Sequence, residues 1–276
     1  MAVDPTEVLQ SSSDPDELVL AGLTLARAAR PEGHAALSKH LQSQDFLSKL
    51  DTPEDYGDPG AKLRVGRIVE ALSENQAPSA HEVLVTLTQV PVFHDDLARI
   101  DMLIRACAEV RPAPPEVVKF WDTYCQPLDG HTPVTIEALF DNSSEPALAL
   151  FEKKMHDPKH GTGHKVGWLR DELIEHRNDQ PVLECCERLL GGPLPGDPDE
   201  QQELRGVLVE VLFDFRPHEW YVGDHVPFPP PREEASEAAL QQLRRIGQYA
   251  LKNVELTDSQ KKVVEDVLEQ LSAQKP

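Results

Sequence analysis

Three histidines recur at every fourth position in the stretch MHDPKHGTGHK, Met155 to Lys165. They are His156, His160 and His164, with Asp157 beside the first. On an unbroken helix, side chains four apart share a face. Three imidazoles on one face would offer the nitrogen donors that a tetrahedral zinc site takes. The same stretch argues against that geometry. Pro158 removes a backbone hydrogen bond and clashes with the preceding turn, and Gly161 and Gly163 add freedom where a ligand cage needs stiffness. The stretch reads as an exposed connector between two helices, with His156 well placed near the negative end of the first. A metal-binding protein or an enzyme, with its site at the His156–His164 connector or at the aromatic loop over 213–228, is the alternative reading, because a loop can still wrap imidazoles around an ion.

A second group of reactive and aromatic side chains lies in FDFRPHEWYVGDHVPFPPPRE, from Phe213 onward. His218, Trp220, Tyr221, His225 and Phe228 gather there in a proline-stiffened loop, which suits an interaction surface or a pocket rim. It suits equally a strap over the last helices. Cys185 and Cys186 are adjacent inside PVLECCERLL. Neighbours on a helix point about 100° apart, so one thiol is expected in the core and the other on a flank. Glu184 and Glu187 oppose the electropositive setting that a reactive thiol needs. The other cysteines, Cys107 and Cys125, complete no CxxC pair, and the spacing fits neither a zinc knuckle nor a disulfide framework. Glu172 and His176 stand four apart and read as a surface pair on an acidic helix. Trp121 and Tyr124 keep helical spacing with Val117 and Phe120 and read as core, and Trp168 as half-buried. No GxSxG, HExxH or phosphate-loop motif occurs, and no cofactor is implied.

Composition narrows the partners. The chain has 276 residues, with 27 basic against 48 acidic side chains and a formal charge of −21. That charge repels phosphate backbones. The densest basic clusters are the pairs Lys153-Lys154, Arg244-Arg245 and Lys261-Lys262, each with acids nearby. Nucleic acid is not expected as a partner; another protein is, and a basic one would complement the charge. The N-terminus lacks a basic region followed by an apolar run, and no apolar stretch has the length to cross a bilayer. A soluble, cytoplasmic setting is the expectation.

The elements that must position these residues are helices. Twenty-four prolines punctuate short apolar-periodic segments. Asp14-Pro15-Asp16-Glu17 supplies a capping oxygen, a proline in the first turn and a carboxylate three residues on. Ser79-Ala80-His81-Glu82 and Thr257-Asp258-Ser259-Gln260 read as capping boxes. Thr132-Pro133 and Asp179-Gln180-Pro181 offer a cap with proline in the first turn. Ile100, Leu103, Ile104, Cys107 and Val110 form one apolar stripe. Val263, Val264, Val267, Leu268 and Leu271 form another. The β-branched run Val83–Leu87 follows a capping box and keeps helical spacing, so it too reads as helix.

The helices pair. Residues 79–90 break at Pro91 and resume over 95–110; residues 133–140 break at Asp141 and resume through Met155; residues 164–176 break at Asn178 and resume to Leu190. The stretches PVTIEALFDNSSEPALALFEKKMHD and WLRDELIEHRNDQPVLECCERLL each run helix, Asp/Asn-bearing turn, helix. They resemble the units of HEAT and armadillo α-solenoids, a resemblance that covers residues 79–215. The arginine that usually follows the turn aspartate in that class is absent. The resemblance implies an all-α solenoid of stacked helical hairpins. It also implies a non-catalytic scaffold that binds a protein partner along the concave face made by the second helices. Residues 1–60 then form an N-terminal helical cap, 61–232 the repeat array and 233–276 a closing hairpin.

Overall fold

The computed structural model describes residues 3–50, 64–213 and 235–273. Within them the chain is helical throughout, with no strand. It divides into two compact units, Met1–Cys125 with Asp129–Ala138, and Gln126–Leu128 with Leu139–Pro276.

The first unit holds α1 (Pro5–Ser11), α2 (Pro15–Arg27), α3 (Pro31–Leu41), α4 (Gln44–Leu50), α5 (Arg64–Ser73), α6 (Pro78–Leu87), a 3₁₀ turn at Pro91–Phe93, α7 (Leu97–Cys107) and α8 (Pro115–Tyr124). The boundary falls inside α9 (Thr132–Asn142). Helices this short are marginal in water on their own, so each must bury an apolar stripe against neighbours. Val65, Ile68, Val69 and Leu72 of α5 are fully buried at helical spacing. They pack against α2 on one side and α7 on the other, while α3 packs on α6. Gly22 is needed where α2 crosses α5, since a Cβ there would lie 2.6 Å from Ile68 Cδ1. Trp121 fastens α8 to α7, its indole N–H donating to Ile104 O at 3.3 Å.

The second unit holds α10 (Glu145–His156), α11 (Thr162–Asp171), α12 (Gln180–Gly191), α13 (Pro198–Phe213), α14 (Glu237–Asn253) and α15 (Asp258–Ala273). Its packing alternates. Helix α10 meets α12 and α12 meets α14; α11 meets α13 and α13 meets α15. Polar ties repeat along the first row. Arg188 of α12 donates to Glu152 of α10 at 2.6 Å, and Glu187 of α12 accepts from Gln242 of α14 and faces Arg245 at 3.7 Å. In the other row Arg170 of α11 faces Glu210 of α13 at 3.6 Å.

Most helix starts follow the sequence. Asp14 accepts from the Asp16 and Glu17 amides. Thr257 and Gln260 form a reciprocal capping box, each side chain accepting from the other's amide at 3.2 and 3.0 Å. The box expected at Ser79–Glu82 does not form. Proline needs no donor at the first helical position and arrives with helical φ, so α6 begins at Pro78 after Ala77. Ser79 Oγ instead lies 2.6 Å from His34 Nδ1 on α3. Helix α11 runs two residues earlier than expected and stops at Asp171, giving way to turns that still bury Leu173 and Ile174. The stripe of α15 is only partly covered, with Val264 and Leu271 buried and Val263, Val267 and Leu268 half-buried.

Gly247 sits where α14 meets both α13 and α15. A Cβ there would stand 3.0 Å from Phe213 Cζ and from Leu268 Cδ2. Gly247→Val should therefore lower stability by about 1–3 kcal/mol, despite valine's better helix propensity, read as an earlier midpoint in urea denaturation at unchanged slope.

Candidate functional site

The connector does not gather its three histidines. His156, in the last turn of α10, and His164, in the first turn of α11, are exposed, whereas His160 between them is buried. Pro158 and the two turns it starts break the helical register, as the sequence indicates. Among the described residues no group of three His, Cys, Asp or Glu side chains is arranged to hold a metal ion.

His160 itself is 2% exposed. Its ring stands edge-on to Trp168 of α11, centroids 5.0 Å apart. Both ring nitrogens are enclosed and meet no hydrogen-bond partner. Burial holds its pKa below the usual histidine value, and the nearby charges of Lys154, Lys165 and His164 act the same way, opposed by Asp157. Trp168, expected half-buried, is buried, because His160 covers one edge. Lys165 is also buried; its ammonium donates to Asp157 O at 2.8 Å. Asp157 closes the turn further, accepting from the Lys159 amide at 2.9 Å. The start of α11 has no side-chain cap, but the Thr162 hydroxyl lies 3.1 Å from Glu200 of α13.

His176 has partners other than Glu172. Its Nε2 faces Asp141 at 3.4 Å and its Nδ1 faces Asp179 at 3.0 Å, while its ring stacks on Phe140. Helix α11 ends before residue 176, which removes the register that would have set Glu172 beside it. Asp141 belongs to the last turn of α9 and Asp179 to the turn before α12, so one imidazolium joins the end of α9 to the start of α12. Burial alone would lower its pKa. Hydrogen bonds to Asp141 and Asp179 and the charges of both carboxylates outweigh that and raise it to about 9.

A further polar group in the first unit has no sequence signature. His94 Nε2 lies 2.9 Å from Thr88 O, a carbonyl that only accepts. The neutral ring then accepts at Nδ1 from the Tyr124 hydroxyl at 2.7 Å. The Tyr124 ring meets His131 edge-on, and His131 Nδ1 donates to Asp101 at 2.6 Å. Burial, and then the charges of Asp129 and Asp95, raise the Tyr124 pKa. The group ties the ends of α8 and α9 to α7 and the 3₁₀ turn. A carboxylate-held imidazole can take a proton, but its partners here are other scaffold groups. Residues 94, 101, 124 and 131 come from four separate elements, so no local spacing reveals them.

Both thiols of the Cys185-Cys186 pair are buried, correcting the expectation of one core and one flanking thiol. Helix α12 is covered by α10, α14 and α13, which leaves neither position open. Burial raises both pKa values, with Glu152 adding to it, and pushes Cys186 up to about 12. His218, Trp220, Tyr221, His225 and Phe228 lie outside the described residues. No described helix is long and apolar enough to cross a membrane. Open grooves run between packed helices. One, of about 370 Å³, is lined by Leu23, Arg27, Arg67, Glu70, Ala71 and Glu74 of α2 and α5 and the residue that follows. Comparison with protein-family models, with curated proteins and with solved structures finds no match.

Two outcomes follow from these environments. All four cysteines are buried, so native protein should resist an aromatic disulfide reagent and release the full thiol titre only in denaturant; rapid reaction of native protein would contradict the packing. The His176 clamp should act on stability with a defined sign. Its folded pKa of about 9 exceeds the ordinary histidine value of 6.5, so its contribution is complete below pH 6.5 and disappears as pH rises through 9. Asp141 and Asp179 are each about half exposed, and solvent screening leaves on the order of 1–2 kcal/mol. Urea denaturation of wild type against His176→Gln should show that gap at pH 6 and little gap at pH 10.

Proposed function

We propose that the chain is an α-solenoid of stacked helical hairpins, HEAT-like in its units, that works as a non-catalytic scaffold for a protein partner. The observation that carries this reading is the alternate packing of the second unit, α10 to α12 to α14 and α11 to α13 to α15. Helical hairpins that bury their flanks only against the next hairpin pack in this way. Supporting it, the cross-helix ties recur at matching places, Glu152 with Arg188 and then Glu187 with Gln242 and Arg245. In such an array the second helices line the concave face and offer a long surface of modest relief, which suits a protein better than a small molecule. The acidic balance of the chain favours a basic partner.

The proposal assigns recognition to exposed side chains of the second-helix row. Glu184 of α12 and Gln241 of α14 are exposed, as is Glu203 of α13 on the other row. Affinity capture from the native cell is to be run with wild type, with Glu184→Arg combined with Gln241→Arg, and with Glu203→Arg as the control. The reading predicts a saturable protein partner that the double variant binds about tenfold or more weakly, through like-charge contact, and that the control retains. Equal capture by both variants would move recognition off this face. A solution radius of gyration near 19 Å, the value of about 2.2·N^0.38 for a compact globule of this length, would remove the solenoid itself.

A further inference from the structure

Among the described residues of the second unit, His160 is an ionisable side chain that its surroundings serve badly. His160 is 2% exposed, and neither Nδ1 nor Nε2 meets a partner. A buried imidazole ordinarily satisfies at least one nitrogen, because an enclosed unpaired polar group costs free energy that its exposed form does not. The other two histidines of the connector are exposed, so the chain has placed only the middle one against Trp168.

Among the described residues three cationic side chains act on it against one carboxylate, Asp157, whose charge is the largest single opposing influence. From α10 comes Lys154, which is buried. From α11 come Lys165, also buried, and His164. The connector supplies Asp157, whose carboxylate is half committed to the Lys159 amide, and α13 supplies Glu200, which reaches Thr162 and acts on Lys165. A positive charge on His160 would thus enter an enclosed site beside two buried ammonium groups. It would also lie just before the first turn of α11, where the helix dipole opposes a cation. The cheapest response is local: the ring leaves for water, and the short turn 157–161 goes with it. That turn is held by few bonds, chiefly Lys165 Nζ to Asp157 O, the Lys159 amide to Asp157 Oδ1, and the His160 amide to Asp157 O at 3.3 Å.

We propose that His160 is an acid-sensitive latch on the α10–α11 connector: neutral, it seals the edge of Trp168; protonated, it swings out and opens the connector while the surrounding helices stay packed. The sign follows from its depressed pKa. The unfolded or opened state binds the proton more readily, so the closed state loses ground as pH falls below the ordinary histidine value of 6.5. The opposite ionisation of His176, which is held charged, keeps the far end of the same hairpin fastened over that range. Opening would expose the uncapped first turn of α11 together with Lys154 and Lys165, and would give an otherwise acidic unit a basic edge under mild acid.

Amide hydrogen exchange by mass spectrometry tests this on the full chain at pH 7.5 and 5.5, after correction for the intrinsic rate. Wild type should lose protection by several-fold, at most about tenfold for a single proton over that range, across 155–170, with α12 and α14 unchanged. In His160→Phe, which keeps a ring against Trp168 and cannot titrate, that loss should vanish. His160→Gln provides the same readout should the phenylalanine variant fail to fold. Equal protection at both pH values in wild type would overturn the latch. So would a loss that persists in either folded variant, or one spread evenly over every helix.

Discussion

The structure depends on a shortage of length. None of its fifteen described helices exceeds 17 residues, and several have only 7 to 10. Helices of that size gain too little from their own hydrogen bonds to offset the cost of nucleation, so packing must hold them. A helix in the middle of a row presents an apolar stripe wide enough for three neighbours. Leu183, Cys186 and Leu190 show this on α12, where even the adjacent thiols are covered because α10, α13 and α14 all close around the helix. The end of the chain shows the converse. Helix α15 has fewer neighbours and leaves three apolar side chains half-buried.

Apolar stripes decide that helices stack but do not fix their register, since Leu against Val tolerates a shift. The polar ties supply register. Glu152 to Arg188 and Glu187 to Gln242 link the same row at successive steps, and His176 joins the end of α9 to the start of α12. In the first unit Asp101 to His131 and His94 to Tyr124 do the same for α7, α8 and α9. Exposed pairs of this kind add little net stability. Their geometry nevertheless penalises a slipped packing, because a slip strands the buried partner. The half-buried histidines therefore matter more here than the arginine pairs at the rim.

Helical bodies were legible in the sequence because stripes such as Ile100, Leu103, Ile104 and Cys107 repeat at the period of the helix and nothing distant can imitate that. Helix starts were legible where a side chain caps locally, at Asp14 and Thr257. A start was misread where a proline outranked the cap, at Ser79, and the end of α11 was misread at Asp171. The chemistry was harder to see. Pro158 and the glycines rightly dissolved the regular spacing of His156, His160 and His164, but nothing local revealed that the middle one would be buried. That depends on Trp168 lying beside it after α11 has folded back. Cys185 and Cys186 failed as a flank-and-core pair for the same reason, since a helix in the middle of a row has no flank.

The two histidines that bracket α11 illustrate how one side-chain type is pushed to opposite states by position. His160 precedes the helix, next to its positive end and two buried lysines, and stays neutral. His176 follows it, between two carboxylates, and stays charged. Exchanging their surroundings would exchange their states, since the unperturbed imidazole lies close enough to neutrality for modest fields to decide. The arrangement gives the hairpin one fastening that acid leaves intact and one that acid removes. If the second unit is the row of hairpins proposed above, a loosened connector between α10 and α11 lies at a joint between successive bricks. The spacing of the two rows is set at such joints, so a proton taken up at His160 would act on the surface offered to a partner without touching it.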